Sequence, residues 1–509
     1  MISRVEKKLG VILQYIQMAL SILISFIYTP VMLRILGQSE YGIYNLSNSI
    51  ISYLSLLSLG FGASYIRFYS RYKIKDDKAG INKLNGLFLS VFLVMGAVAF
   101  ICGLALAANV SLFFNNTYSE NDMGIAKILM MFMSFNLALS FPTSVFTSYV
   151  TSQEKFVFQK LLNMIKTVVS PFLTLPVLLL GFGSIGMVVI TTIITVLVDI
   201  ANIVFCISKL GMEFDFHKPN FSLLKEITTF SFFIAINQIV DQINWATDKM
   251  VLGKICTSSA VAVYAIGSQI NTYYLQFSSA ISGVFVPQVN RIVVSNEDEK
   301  KKNRQLTELF TKVGRVQFII LILILTGFIF FGKYFVLKWA GDEYVNSYYV
   351  ALLLITPVTI PLIQNLGLEI QRAKNMHQFR SYVYLGMAIL NVGISIVLSM
   401  KWGELGAASG TTISLLVANG VIMNWFYHQR IGIDIIYFWK NIAKFIPALV
   451  APVVSGVLLN LKECTSLSGF AIRVVIYIGV YCISMYCLGM NEFEKQQVEK
   501  ILQKVGVHK

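Results

Sequence analysis

The sequence has little charge for its length. Asp, Glu, Lys and Arg make up 13 % of the 509 residues, whereas hydrophobic residues make up 56 %. Soluble domains carry about 25 % charged residues, so this chain lacks the charge needed to coat a water-facing surface of its size. A soluble multidomain protein is therefore excluded, and lipid must cover most of the molecule.

Histidine, cysteine and long loops are also scarce. The four His residues, at positions 217, 377, 428 and 508, are too scattered to form a metal or acid–base cluster. The six Cys residues fall mostly inside apolar runs and lack metal-ligand spacing. No loop exceeds roughly 15 residues, which leaves no room for a soluble catalytic domain. We therefore expect a protein that is not an enzyme and that has no catalytic residue, no bound metal and no cofactor.

Long apolar runs, by contrast, are abundant. A run of about 20 apolar residues crosses a bilayer as a helix. The predicted spans lie at about 10–36, 42–66, 84–112, 124–150, 157–180, 184–207, 224–252, 258–290, 306–332, 346–371, 379–400, 403–427, 442–461 and 469–489. The sequence therefore predicts an all-α integral membrane protein with about fourteen transmembrane helices.

The basic residues alternate between the two sides of the predicted membrane. With the N-terminus inside, cytoplasmic segments hold roughly four times as many Lys and Arg as outer segments, which is the bias that fixes topology. A missed span would place every later loop on the opposite side of the membrane and destroy the alternation. The alternation therefore indicates an even number of spans and cytoplasmic N- and C-termini. It also explains the net charge of +15 without a nucleic-acid partner. Arg67 and Arg315 lie near the cytoplasmic interface, where we expect them to reach lipid headgroups.

An internal repeat relates two halves of the chain at an offset of 220 residues. The motif GxxGxxxxTTI begins at Gly183 and again at Gly403, and Tyr44 recurs as Tyr264. Six spans separate the copies, so we expect two six-helix lobes related by a pseudo-two-fold axis along the membrane normal. The predicted domains are an N-terminal lobe (1–209), a C-terminal lobe (210–430), and two further helices with a cytoplasmic tail (431–509).

Polar side chains recur at helical spacing inside several predicted spans. Charged residues at membrane depth cost about 2.5 to 3.5 kcal/mol, so polar ones should face a wet cavity or another helix. We predict that they line a water-filled, substrate-binding chamber between the lobes; interhelical hydrogen bonding is the alternative for any single residue. The predicted cavity residues are Gln14, Gln17, Ser21, Asn45, Asn48, Lys166, Asn237, Asp241, Asn244, Asp248, Gln269 and Asn271.

Two charged residues within the spans, Lys166 and Asp241, have two interpretations each. Lys166 either pairs with an acidic neighbour, such as Asp199 or Asp241, or meets an anionic substrate. Asp241 is either a protonatable or cation-binding carboxylate or the structural partner of a lysine. Asp241 and Asp199 are the candidates for coupling transport to H⁺ or Na⁺.

Three segments carry motifs of a known family. They are ILGQSEYGIY (Ile35 to Tyr44), LGFGASYIRFYSRY (Leu59 to Tyr72) and DKMVLGKICTSSAVAVYAIGSQI (Asp248 to Ile270). These segments resemble polysaccharide flippases of the Wzx type, members of the multidrug, oligosaccharidyl-lipid and polysaccharide (MOP) exporter superfamily. The same superfamily contains multidrug extruders (MATE) and lipid II flippases.

The resemblance implies a MATE-like fold and transport by alternating access. The implied cargo is an undecaprenyl-diphosphate-linked oligosaccharide, moved from the cytoplasmic to the outer leaflet of a bacterial cytoplasmic membrane for O-antigen or capsule synthesis. Partners would be that lipid, the surrounding membrane lipids, and a polymerase and glycosyltransferases of the same pathway.

Three other functions stay open at this point. A cation-coupled multidrug exporter would use a carboxylate such as Asp241. A lipid II flippase is expected to place several arginines in its cavity, and Lys166 as the single mid-membrane cation counts against it. A membrane glycosyltransferase would need a large outer loop, which the sequence does not predict.

Overall fold

The computed structural model describes residues 2–58, 60–115, 117–217, 221–282, 285–462, 464 and 466–504. Nearly all of the described residues are helical, and none of them forms a strand. The chain divides into two compact units: unit 1 comprises Met1–Ala265 with Val392–Ala407, and unit 2 comprises Ile266–Asn391 with Ala408–Lys509. The predicted lobe boundaries at residues 209 and 430 follow the sequence repeat, and they stay a prediction.

Unit 1 is built from long helices joined by short turns. They are α1 (Ile2–Ser52), α2 (Phe61–Ile74), α3 (Lys78–Ala108), α4 (Glu120–Ser152), α5 (Phe156–Leu179), α6 (Gly183–Ser208), α7 (Phe221–Ile255) and the beginning of α8 (Ser258–Ser282).

Unit 2 contains the end of α8 and the rest of the chain, except for the segment Val392–Ala407. Its helices are α9 (Val286–Val294), α10 (Glu299–Trp339), α11 (Val345–Ile363), α12 (Leu366–Ala373), α13 (His377–Leu415), α14 (Asn424–Phe426), α15 (Ile435–Ala443), α16 (Ile446–Asn460), α17 (Leu467–Ser484) and α18 (Glu492–Lys504). Leu416–Met423, Tyr427–Ile431 and Met485–Gly489 form wider π-helical turns.

The predicted spans lie on these helices, some of which are broken. Within the described ranges, nine helical stretches are long and apolar enough to cross a membrane, or up to eleven if each of two bent pairs is one span. Two of the nine, Ile16–Ser58 and Gln378–Ile431, are 43 and 54 residues long; the first contains most of two predicted runs, and the second contains two complete ones. Gly37 and Gly403 divide them, since both adopt positive φ values, of 72° and 53°. The multi-pass, all-α architecture predicted from the sequence is confirmed.

The sequence repeat has a counterpart in the backbone. Gly183 and Gly403, the first glycines of the two motif copies, have φ values of 57° and 53°. This left-handed region is strained for residues with a β-carbon, so glycine is needed at both turns. The motif thus begins with a positive-φ glycine in each half of the chain.

An aromatic cluster fixes α2 against α3 and α4. Its buried rings are Phe61, Tyr65, Phe68, Tyr69, Phe88, Phe92 and Phe141. The hydroxyl of Tyr65 donates to Asn85 Oδ1 at 2.6 Å, and the Asn85 amide donates to the Glu213 carbonyl at 2.8 Å. One face of α2 is therefore held in place by packing and hydrogen bonds.

A buried ion pair ties the C-terminal helix to unit 2. Arg315 on α10 and Glu494 on α18 are 4 % and 3 % exposed. The Arg315 guanidinium donates to both Glu494 oxygens, at 2.7 and 2.9 Å, and to the carbonyls of Asn441 and Gly489, at 2.6 and 2.9 Å. The expectation that Arg315 reaches lipid headgroups is wrong, because these four hydrogen bonds hold it inside unit 2. They also attach α18 to α10 and α15.

Removing one member of this pair should destabilise the protein strongly. Glu494→Gln leaves the buried Arg315 charge unpaired, which costs about 3 to 5 kcal/mol. We expect a clear drop in the thermal unfolding temperature of the purified protein, and a much smaller drop for Glu492→Gln, which removes an exposed charge two residues away. Equal unfolding temperatures for the two variants would show that the ion pair between Arg315 and Glu494 does not stabilise the protein as expected.

Candidate functional site

Unit 1 contains an open cavity of about 320 Å³. It is formed where the second predicted span breaks, between that span, α3, α4 and α7. Its polar lining consists of Ser55, Ser58, Ser140, Ser144 and Gln238, and its apolar lining of Phe92, Leu137, Phe141 and Ile234, with Gly60 and Gly62 at the break.

The break in the second span makes room for the cavity. Helix α1 ends at Ser52 and continues as a tighter turn over Tyr53–Ser58. Gly60 then adopts a left-handed conformation, with φ 70° and ψ 13°, before α2 begins. A β-carbon on Gly60 would lie 2.6 Å from Ile234 Cγ2 of α7, so only glycine permits this approach. Irregular backbone at membrane depth is tolerated where it is buried in protein or lines a wet cavity.

The serines present hydrogen-bond acceptors to the cavity. Ser55, Ser140 and Ser144 donate their hydroxyl protons to carbonyls within their own segments, each at 2.6 Å. Their oxygen lone pairs remain available to a ligand, since a hydroxyl accepts as well as donates. Among the lining residues that the structure describes, none is charged. The cavity therefore suits a neutral, hydroxyl-bearing ligand better than a phosphate.

The predicted polar residues of the seventh span (224–252) lie in several different environments. Asp248 is buried and accepts a hydrogen bond from the Tyr264 hydroxyl. Asn244 is half-buried and Asp241 is exposed. The side chain of Asn237 lies outside the described residues. Gln238, also on α7, lines the cavity and accepts a long hydrogen bond of 3.5 Å from Ser58.

Further polar contacts join α7 to the second span. The Gln242 amide donates to the Ser52 hydroxyl, and the hydroxyls of Tyr53 and Thr247 share a hydrogen bond. Near the start of α2, the Ser64 and Ser231 hydroxyls are 2.6 Å apart and buried. The polar character of span 7 thus serves partly to hold the cavity walls together.

The predicted cavity residues of α1 lie outside the serine-lined cavity. Gln14, Ser21 and Asn48 are exposed and Gln17 is half-buried. Asn45 is half-buried and donates to the Tyr41 carbonyl of its own helix at 2.9 Å. Their predicted role in a chamber between the lobes stays a prediction.

Lys166 lies near an acidic group of the next helix. Asp199 on α6 interacts electrostatically with Lys166 on α5. Both charged side chains are half-buried. The structure thus brings Lys166 together with one of the two acidic partners considered from the sequence.

The two predicted residues of α8 lie on different sides of that helix. Gln269 is half-buried and donates to the Tyr273 hydroxyl at 2.6 Å. Asn271 is 1 % exposed, and neither atom of its amide has a hydrogen-bond partner. Two residues correspond to about 200° around a helix, so both cannot face one chamber. Asn271 offers no surface to a ligand in this conformation.

The serines of the cavity are not among the residues predicted from the sequence. Ser140 and Ser144 are one turn apart on α4 on either side of Pro142, and Ser55 and Ser58 precede the glycines of the break. Serines at helical spacing that face a glycine-interrupted span are the signal that could have indicated them.

The chain matches a known protein family. Residues 10–293, more than half of the sequence, match the profile of the family described as polysaccharide biosynthesis protein. The chain is also 21 % identical, over 267 residues, to the probable low-salt glycan biosynthesis flippase Agl15 of Haloferax volcanii. That alignment covers 52 % of this chain and 53 % of the relative, so the chain matches about half of the relative's length.

Solved structures show the same fold over most of the chain. The lipid II flippase MurJ, in an inward closed conformation, matches with a TM-score of 0.70 and 15 % identity, covering 94 % of this chain and 97 % of that one. An inward-facing multidrug resistance MATE transporter of the MOP superfamily matches with a TM-score of 0.62 and 14 % identity. The match covers 85 % of this chain and 99 % of the transporter. The predicted family resemblance is confirmed, and the fold is shared with MOP-superfamily transporters. The chain belongs to the polysaccharide biosynthesis protein family, and it is a multi-pass membrane protein with the MOP transporter fold.

Proposed function

We propose that the protein translocates an undecaprenyl-diphosphate-linked oligosaccharide from the cytoplasmic to the outer leaflet of a bacterial cytoplasmic membrane. The observation that carries this proposal is the neutral, serine-lined cavity at the break of the second span. A sugar offers many hydroxyl donors, and the cavity offers hydroxyl acceptors beside the apolar faces of Phe92 and Phe141. The lipid tail can stay in the bilayer during such a movement.

The related proteins support a lipid-linked sugar as cargo. One relative is named a glycan biosynthesis flippase, and one protein of the same fold is named a lipid II flippase. Both names describe flipping rather than chemical conversion, so we propose a transporter and not an enzyme. The surface polymer would be an O-antigen or a capsule, and the pathway's polymerase and glycosyltransferases would be the partners.

A second candidate function is cation-coupled export of small molecules. The observation that favours it is the exposed carboxylate of Asp241, together with the fold shared with a multidrug transporter. Cells that lack the protein would then accumulate dyes or drugs while exporting polysaccharide normally. A lipid II flippase is disfavoured because the described lining of the cavity carries no arginine.

The proposed cavity role is tested by filling the cavity. Ser140→Leu combined with Ser144→Leu removes two acceptors and adds bulk where the sugar would lie, so we expect loss of surface polysaccharide in a deletion strain complemented with this variant. Ser208→Leu, an exposed serine at the end of α6, is the matched control. The measurement is surface polysaccharide, normalised to the amount of protein in the membrane.

Two results would argue against the proposal. Normal export by the double leucine variant would show that the cavity is not part of the transport path. Normal export by the deletion strain itself, with no second flippase in the genome, would contradict the function.

The charged residues of the spans give a further prediction. We propose that Lys166 and Asp241 act in transport, with Asp241 or Asp199 as the group that couples to H⁺ or Na⁺. Lys166→Ala and Asp241→Asn should each lower export about tenfold while leaving expression intact. If either variant exports polysaccharide at the wild-type rate, that residue does not belong to the site.

A double variant separates the two interpretations of Lys166. If Lys166 serves only to neutralise Asp199, then Lys166→Gln with Asp199→Asn should restore the export that either single change lowers, because no charge is left unpaired. If Lys166 contacts the anionic cargo, the double variant should export no better than Lys166→Gln alone. Export assays of the three variants in one strain provide the comparison.

A further inference from the structure

Four polar residues follow one stripe of α8 in unit 2. Asn271, Tyr274, Ser278 and Ser282 are spaced by three or four residues, so they lie on the same side of the helix. All four are buried, with exposures of 5 % or less. A polar side chain in such a position normally has a hydrogen-bond partner on a neighbouring element.

Three members of the stripe have such partners on α11 or in the turn that follows it. The Tyr274 hydroxyl lies 2.8 Å from the Thr359 hydroxyl, within hydrogen-bond distance. The Ser278 hydroxyl donates to the Leu362 carbonyl at 2.9 Å. The Ser282 hydroxyl accepts a hydrogen bond of 2.9 Å from an amide in the turn after α11. This part of α8 is therefore matched to its neighbour by polar contacts as well as by packing.

Asn271 is the exception in the stripe. It is 1 % exposed, and neither its amide nitrogen nor its amide oxygen has a hydrogen-bond partner among the described residues. One turn earlier, a β-carbon on Gly267 would lie 2.5 Å from Val350 Cγ1 and 3.1 Å from the Ser347 carbonyl oxygen. Helices α8 and α11 are thus in close contact here. Burying an unsatisfied amide costs free energy in this arrangement of the two helices.

The sequence repeat shows that packing does not require an amide at this position. At the offset of 220 residues, Asn271 corresponds to Ile51 in the second span. Ile51 is 3 % exposed, so the first half of the chain fills the equivalent position with an apolar side chain. An apolar residue would also be expected at position 271 if this arrangement of α8 were the only one that the protein uses.

We propose that α8 takes a second arrangement during transport, in which it turns relative to α11 and Asn271 meets the water of the transport path. The unsatisfied amide raises the free energy of the arrangement described above, and it thereby brings the two arrangements closer in free energy. This proposal rests on the proposed function, because it assigns a movement to the same transport cycle. A buried water that bridges the amide to its neighbours is the opposing interpretation. The two interpretations differ in the sign of the effect on stability.

Thermal unfolding of the purified full-length protein tests that sign. Asn271→Leu keeps a branched side chain and removes the unsatisfied amide, so we expect the unfolding temperature to rise by about 2 °C or more. Asn271→Val, which is smaller, guards against overpacking by leucine. A lower unfolding temperature for both variants, or failure of both to accumulate in the membrane, would overturn the proposal, because the amide would then stabilise this arrangement.

The matched control is an asparagine that is equally buried but has a partner. Asn391 on α13 is 1 % exposed, and its amide donates to the Thr411 hydroxyl at 3.2 Å. Asn391→Leu leaves this hydroxyl without its donor, so the same chemical change should lower the unfolding temperature. The control separates the removal of an unsatisfied amide from the general effect of adding an apolar side chain.

Cysteine labelling tests the movement without an export assay. Asn271→Cys is treated with a water-soluble maleimide in native membranes, and the reaction of the unaltered chain is subtracted. We expect measurable labelling, because the second arrangement brings position 271 into water. Asn391→Cys, which is equally buried in the structure, should remain unlabelled. If Asn271→Cys also remains unlabelled, the second arrangement is refuted.

Export assays separate this proposal from the proposed function. At equal amounts in the membrane, Asn271→Leu should export surface polysaccharide about tenfold less than the unaltered chain, because it favours one arrangement over the other. Normal export by this variant, with loss of export in the deletion strain, would overturn the role of Asn271 and leave the proposed function intact. If Asn271→Leu is stabilised and Asn271→Cys is labelled, but the deletion strain exports normally, the movement of α8 stands and the proposed function fails.

Discussion

A polar group at membrane depth must be hydrogen-bonded by protein or by water, and this constraint accounts for most of the features of this protein. Apolar runs become helices because a helix satisfies its own backbone. Where a helix is interrupted, as at Gly60, the surrounding chain must supply partners or enclose water. In unit 1, hydrogen bonds beside the break are supplied by Ser52, Thr247 and Gln242. Ser140 and Ser144 line the cavity.

The broken span connects the fold to the proposed transport. Its first part presents Ser55 and Ser58 to the cavity, and its second part, α2, presents Arg67 and Arg71 on an exposed face. A neutral, acceptor-rich cavity is suited to the sugar part of the proposed cargo. The ion pair between Arg315 and Glu494 has a different role, because it joins the C-terminal helix to the core of unit 2.

Features set by local sequence were predictable, and features set by distant residues were not. Run lengths and the glycine motifs predicted the helices and the matching turns at Gly183 and Gly403. The partner of Arg315 lies 179 residues away in sequence, so the pattern around Arg315 could not indicate it. Asn271 was placed with Gln269 because both are polar, although their spacing puts them on different sides of α8. The four cavity serines were missed because isolated serines are common in membrane helices.

If the cavity beside the broken span is the transport path, it must be accessible to water and to the cargo. This requirement is tested most directly by labelling Ser140→Cys with a water-soluble maleimide in native membranes, after subtracting the reaction of the unaltered chain. Leu93→Cys, at a 53 % exposed apolar position of α3, is the lipid-facing comparison. We expect rapid labelling of Ser140→Cys, slowed when lipid-linked oligosaccharide accumulates, and little labelling of Leu93→Cys. Equal and negligible labelling of both positions would contradict it.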